Sequence, residues 1–257
     1  MAAGLSTPTI RVEGLGKRYD GKPVLREIGF TVTAGEVVAI LGPSGAGKTT
    51  LFRCLARLVE ADQGEIHLFG HSIKGMRSGE LRRARRDIGL VFQQHNLIRR
   101  RSALDNVLAG RLGHVPLWRV MAGRFRQTDR QRAFSALDRV DLLEFAERRA
   151  DRLSGGQQQR VAIARVLAQE SLVILADEPV ASLDPASAVS VLSLLRDIAH
   201  ERGITVLCSL HQVDLVPGFA DRVLGLHAGR LVADQAAASF RIASDHEIYS
   251  PRSAIGS

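Results

Sequence analysis

At 257 residues the chain has room for one large domain or two small ones, which excludes both a peptide and a large multidomain assembly. Apolar residues make up 45% and charged residues 24%, ordinary globular usage that excludes a disordered chain. The formal charge of +8 is concentrated: residues 77–132 hold 14 arginines against Glu80, Asp87, Asp105 and Asp129, and the remainder is slightly acidic.

In chain order, alternation at residues 10–12 and 28–32 predicts half-exposed strands forming an antiparallel edge. Residues 37–41, 172–176 and 204–207 are continuous apolar runs, the pattern of parallel strands covered on both faces by helices. Helices are predicted at residues 49–59 and at 186–200, where Leu192, Leu195 and Ile198 keep helical spacing until Gly203. Residues 79–152 are rich in helix formers and read largely as helices inserted into an α/β core. There is no internal repeat, and the tail after Phe240 is uninformative.

Cys54 and Cys208 each lie in an apolar stretch without ligand spacing, which predicts neither a disulfide framework nor a zinc site and suits a reducing compartment. No run approaches the roughly 18 uninterrupted apolar residues of a spanning helix. Residues 161–176 are broken by Arg165, Gln169 and Glu170, and residues 1–9 lack the basic start and apolar core of a secretory signal. The chain is therefore expected not to cross a membrane itself. Its arginine-rich segment suits nucleic acid, an anionic membrane surface, an acidic protein partner or a plain solvated surface, and charge alone leaves these open.

Gly42-Pro43-Ser44-Gly45-Ala46-Gly47-Lys48-Thr49 follows a predicted buried strand and opens a predicted helix, the context in which this glycine-rich pattern cradles phosphates. Glycines let backbone N–H groups turn inward, and the helix start adds partial positive charge. Lys48 then supplies a full charge to the outer phosphates. Thr49 offers a hydroxyl to the Mg2+ that accompanies a nucleoside triphosphate, and Thr50 lies beside it. A second apolar strand leads to Asp177-Glu178, where Asp177 is expected to hold the ion and Glu178 to act as general base on water.

Leu153-Ser154-Gly155-Gly156-Gln157 heads a further predicted helix, residues 158–169, and makes a second anion-binding helix start. With the phosphate loop and Asp177-Glu178, it resembles the nucleotide-binding subunit of ABC transporters over nearly the whole chain. The resemblance implies a P-loop NTPase fold of the α/β class, with a parallel-sheet core, an antiparallel β edge and an inserted helical subdomain. It places the nucleotide-binding domain at residues 8–245, with core 8–93 and 158–235, helical subdomain about 94–157, and tail 246–257.

The resemblance further implies that Tyr19 stacks on adenine, that Gln93 senses Mg2+ and the membrane partner, and that His211 contacts the terminal phosphate. Ser182-Leu183-Asp184 resembles the loop that crosses a dimer interface. Two copies are expected to pair head to tail, the turn at Ser154 to Gln157 of one completing the ATP site built on Lys48 of the other. One physical argument agrees: the chain has two anion-binding helix starts but a single set of metal and base residues.

Within the family, the residues 106–113 with Trp118-Arg119, residues 178–185 and residues 208–214 look most like ATPases of phosphonate importers. His95 and Ser171 depart mildly from that pattern. The resemblance implies membrane permease subunits, a periplasmic or extracellular binding protein acting indirectly, and a peripheral position on the cytoplasmic face of the inner membrane. An importer or releaser for amino acids, metals or lipoproteins remains an alternative. A soluble ATPase acting on DNA or the ribosome is the rival of another class. The chain has no coiled-coil insertion or duplicated cassette, and only 5% aromatic residues for base stacking, so no nucleic-acid partner is expected.

Overall fold

The computed structural model describes residues 9–92, 96–116, 118–119, 125–240 and 248–249. Strands β1 (Ile10–Tyr19) and β2 (Lys22–Val32) pair antiparallel around a tight Asp20-Gly21 turn, and β4 (Gln63–Leu68) and β5 (His71–Ser72) extend the sheet in the order β2-β1-β4-β5. The antiparallel edge predicted from residues 10–12 and 28–32 is therefore present.

The second sheet contains β3 (Val37–Leu41), β6 (Ile88–Phe92), β7 (Val173–Asp177), β8 (Thr205–Leu210), β9 (Arg222–His227) and β10 (Arg230–Ala236). Its order is β10-β9-β3-β8-β7-β6, parallel throughout except for the β9-β10 hairpin. All residues of β3, β7 and β8 are buried, as continuous apolar runs require.

Alternate residues of these strands serve two cores, because successive side chains point to opposite faces. Val38, Ile40, Leu175 and Leu207 join an apolar cluster with the first sheet and helix α1 (Lys48–Leu55). Ala39, Leu41, Ile174, Ala176 and Val206 join the cluster on the other face, beneath α3 (Ala103–Leu108), α4 (Gln127–Arg139), α5 (Gly155–Gln169) and α6 (Pro185–Arg202). Each fully buried Leu or Ile contributes about 1.5–3 kcal/mol relative to exposure, so both faces of the sheet are well supported.

The boundaries differ from the sequence reading at several places, three of them instructive. Helix α1 ends at Leu55 rather than near residue 59, because Arg57 takes a left-handed backbone with φ 49°. Leu172 is exposed and lies outside its strand. Residues 79–152 are not all inserted helix: after the exposed helix α2 (Ser78–Ala84), residues 88–92 form the edge strand β6 on β7. A five-residue apolar run is too short for periodicity to separate strand from helix, and pairing decides it.

Helix α6 has its stop and start where the chemistry predicts. The Asp184 side chain accepts from the Ser187 N–H at its start, Pro185 follows, and Gly203 closes it in a left-handed conformation. Cys54 and Cys208 are free and buried. Among the described residues no helix is long and apolar enough to cross a membrane.

Candidate functional site

The six-stranded sheet places the C-terminal ends of β3, β8 and β7 side by side, with β8 in the middle. Ligands of open α/β sheets bind beyond such strand ends. After β3 the chain enters residues 42–47, where Gly42 and Gly47 are required by their surroundings. A Cβ on Gly42 would lie 2.1 Å from the Leu226 carbonyl oxygen, and one on Gly47, at φ 106°, would meet Leu25 Cδ2 at 2.8 Å. The loop is thus clamped between β9 and β2, and α1 starts directly at Lys48.

Lys48 is almost fully buried, and its Nζ donates to the carbonyl oxygens of Gly42 (2.7 Å) and Pro43 (3.2 Å). Burial pulls the Lys48 ammonium below the usual lysine range, while the negative charges of Glu178 and Asp177 pull the other way. A cleft of about 260 Å3 opens over the loop, lined by Val24, Ser44, Gly45, Ala46, Gly47, Lys48, Thr49, Thr50, Glu178 and His211. Gly42 and Pro43 stand behind this lining as the acceptors of Lys48.

Asp177 closes β7 with its side chain largely buried, and accepts a hydrogen bond of 2.8 Å from Ser209 Oγ on β8. The backbone N–H of Glu178 donates to that same oxygen at 2.8 Å. Glu178 has φ 50°, left-handed and strained for a non-glycine residue. Its carboxylate oxygen Oε1 shares a 2.5 Å hydrogen bond with His211 Nε2.

Among the described residues no three His, Cys, Asp or Glu side chains converge on a cation site. The oxygen donors expected here are one carboxylate, Asp177, and one hydroxyl, Thr49. Such a sparse set fits Mg2+, a cation that keeps water and binds mainly through substrate phosphates. Gln93, the third expected metal contact, and His95 lie outside the described residues.

Ser154 caps α5. Its hydroxyl accepts from the Gln157 N–H (3.2 Å) while Gln157 Oε1 accepts from the Ser154 N–H (2.9 Å). Ser154 and Gly155 are exposed, and none of Ser154, Gly155, Gly156 or Gln157 lines the cleft at Lys48. Instead the turn packs beside the other loop singled out from the sequence: a Cβ on Gly155 would touch Leu183, and one on Gly156 would touch Ser187. Tyr19 ends β1 half-exposed, with the Lys17 ammonium 5.5 Å from its ring centre, and it does not line the cleft either.

The arginine-rich segment divides in two. Arg111 is buried, pairing with Asp129 (3.0 Å) and Glu170 (2.7 Å) and donating to the Ala168 carbonyl at the end of α5. Arg99, Arg100 and Arg101 are exposed and run beside exposed Arg148, Arg149 and Arg152, tied by Ala103 N–H to the Arg148 carbonyl and Ala150 N–H to the Arg101 carbonyl, both 2.9 Å.

Sequence reasoning did not single out Ser209 or Val24 as parts of the site. The signal for Ser209 was a hydroxyl inside an otherwise apolar strand two residues before His211. Nothing in the sequence marks Val24, which reaches the cleft only because β2 crosses the loop.

The family model described as ABC transporter matches residues 25–181. The chain is 49% identical over 240 residues to the hypophosphite import ATP-binding protein HtxD of Stutzerimonas stutzeri, covering 93% of this chain and 70% of that one. It is 50% identical over 226 residues to the phosphonates import ATP-binding protein PhnC 2 of Halalkalibacterium halodurans, covering 88% and 93%. Among solved structures, an ATP-binding cassette captured as a dimer in a post-hydrolysis state with ADP and Pi matches with TM-score 0.77 and 33% identity, over 90% of this chain and all of the other.

Proposed function

The chain belongs to the ABC transporter family, as an ATP-binding subunit whose hydrolysis is coupled to transport, and on that footing we propose that it drives uptake of phosphonates or a closely related small phosphorus oxyanion. The observation that carries the substrate class is identity near one half, over about nine tenths of this chain, to subunits named for phosphonate and hypophosphite import. The transported molecule passes through other subunits, so the relatives alone support this choice.

In this reading residues 42–50 cradle the triphosphate, and Lys48 exchanges its loop carbonyls for the outer phosphates. Tyr19 takes the adenine. Asp177 and Thr49, with Gln93, hold Mg2+, which when bound neutralises phosphate charge. Glu178 accepts a proton from the attacking water, and His211 orients that carboxylate and contacts the terminal phosphate. The exposed Ser154 turn, remote from its own cleft, closes the ATP site of a second copy, and hydrolysis lets the pair part. The dimeric relative bound to ADP and Pi supports that arrangement.

The chain would work on the cytoplasmic face of the cell membrane, bound to permease subunits and served indirectly by a substrate-binding protein. The six exposed arginines of residues 99–101 and 148–152 supply an anion-seeking face for the permease. The decisive experiment is growth with a phosphonate as sole phosphorus source, with and without the gene. Loss of growth on deletion, restored by the wild type and not by Glu178→Gln, is expected. Unchanged growth on phosphonate, with loss on hypophosphite, would move the substrate to hypophosphite, the anion in the name of the Stutzerimonas relative.

A further inference from the structure

Strand β8 is apolar except for its first residue, Thr205, and Ser209 near its end, and Ser209 has no exposed surface. A buried hydroxyl must find partners, and this one has two. The direction of each bond is fixed by chemistry. The Glu178 amide can only donate, so Ser209 Oγ accepts there at 2.8 Å; the hydroxyl hydrogen is then directed to Asp177 Oδ1, also at 2.8 Å. The parallel register sets Asp177 opposite Ser209, so both bonds follow from strand pairing. Among the described residues, Ser209 Oγ is the hydrogen-bond donor to the Asp177 carboxylate. Glu178, at φ 50°, sits in a conformation that needs an anchor, and its amide is held by this oxygen.

We infer that Ser209 is a positioning residue for hydrolysis: its hydroxyl sets the Asp177 carboxylate for the divalent cation and pins the peptide that aims the Glu178 carboxylate at water. The inference rests on the proposed assignment of Asp177 to the cation and Glu178 to the proton. Ser209 touches neither substrate nor metal. It links the two carboxylates, so one side chain couples where the ion sits to where the base points.

The test compares Ser209→Ala, Cys208→Ala and Asp177→Asn with the wild type in the full-length protein. Cys208, its buried neighbour, faces the other core and serves as a packing control on the same strand. The readouts are Mn2+ affinity with a non-hydrolysable ATP analogue, followed by electron paramagnetic resonance; affinity for a fluorescent ATP without metal; and kcat and KM. Ser209→Ala is expected to weaken Mn2+ binding about 10-fold and to lower kcat by a similar factor, as losses behind a metal ligand do, with metal-free nucleotide affinity unchanged. Cys208→Ala is expected to leave all three unchanged. Wild-type Mn2+ affinity and kcat in Ser209→Ala would overturn the inference, as would equal losses in Cys208→Ala, which would mark a packing effect. If Asp177→Asn itself kept full Mn2+ affinity, the metal assignment would be the part that failed; if it lost Mn2+ while Ser209→Ala did not, the role of Ser209 alone would fail.

Discussion

His211 Nε2 and Glu178 Oε1 lie 2.5 Å apart, although 32 residues separate them in the chain and each comes from the end of a different strand. The contact holds the carboxylate at the cleft over residues 44–50. Removing the carboxylate's basicity while keeping its shape isolates its role. Glu178→Gln is expected to retain ATP binding, lower hydrolysis by about 10²–10⁴-fold and accumulate a nucleotide-bound dimer. Steady-state ATPase assays and light scattering check this; a monomeric, fully active variant would contradict it.

Lys48 lines the cleft with its ammonium bonded to carbonyls of its own loop. If Lys48 meets the outer phosphates as proposed, Lys48→Ala removes a charge-assisted contact worth about 1.5–3 kcal/mol, which corresponds to about 10–100-fold weaker nucleotide binding. Calorimetric titration with ATP measures the change. The thermal unfolding midpoint without nucleotide is expected to fall as well, since the buried Gly42 carbonyl loses its partner.

Arg111 and Asp129 are each nearly excluded from solvent. Arg111→Met leaves the Asp129 charge buried and unpaired, at an expected cost of about 3–5 kcal/mol in urea unfolding. The double variant Arg111→Met/Asp129→Leu, which removes both charges, is expected to recover most of that loss. A single variant as stable as the wild type would show that water reaches the pair.

Burial pushes the Cys54 thiol up to about 11 and the Cys208 thiol well above its ordinary value. At pH 8 only about one Cys54 in a thousand is then thiolate, the form that reacts. Both cysteines are expected to resist a thiol reagent in the folded protein and to label fully in denaturant, read out by absorbance. Fast labelling of the native protein would mean that helix α1 or strand β8 opens.

Reversing the charge of Arg99, Arg100 and Arg101 to Glu is expected to leave nucleotide binding by the isolated subunit unchanged, because these side chains are exposed and outside the cleft. Co-purification with the permease subunits and transport-coupled ATPase are expected to fall together. If assembly and coupling survive the reversal, the arginine face is a solvated surface.

Local features are legible in the residues alone. The glycine loop, its lysine and the helix that follows are contiguous, so strand, turn and helix start can be read from residues 37–55, and Ser154 heads the helix it caps. The apolar runs likewise declared strands buried on both faces. Which strands are neighbours is settled by pairing across the folded sheet. An apolar run carries no record of its partner, because parallel pairing joins segments distant in the chain through backbone groups that every residue possesses. That is why residues 88–92 turned out to be an edge strand, why β8 lies between β3 and β7, and why Ser209 and His211 meet Asp177 and Glu178. It also explains why Arg111, one arginine in a cationic stretch, was illegible as a core residue: its acids come from α4 and the end of α5, brought together by helix packing alone.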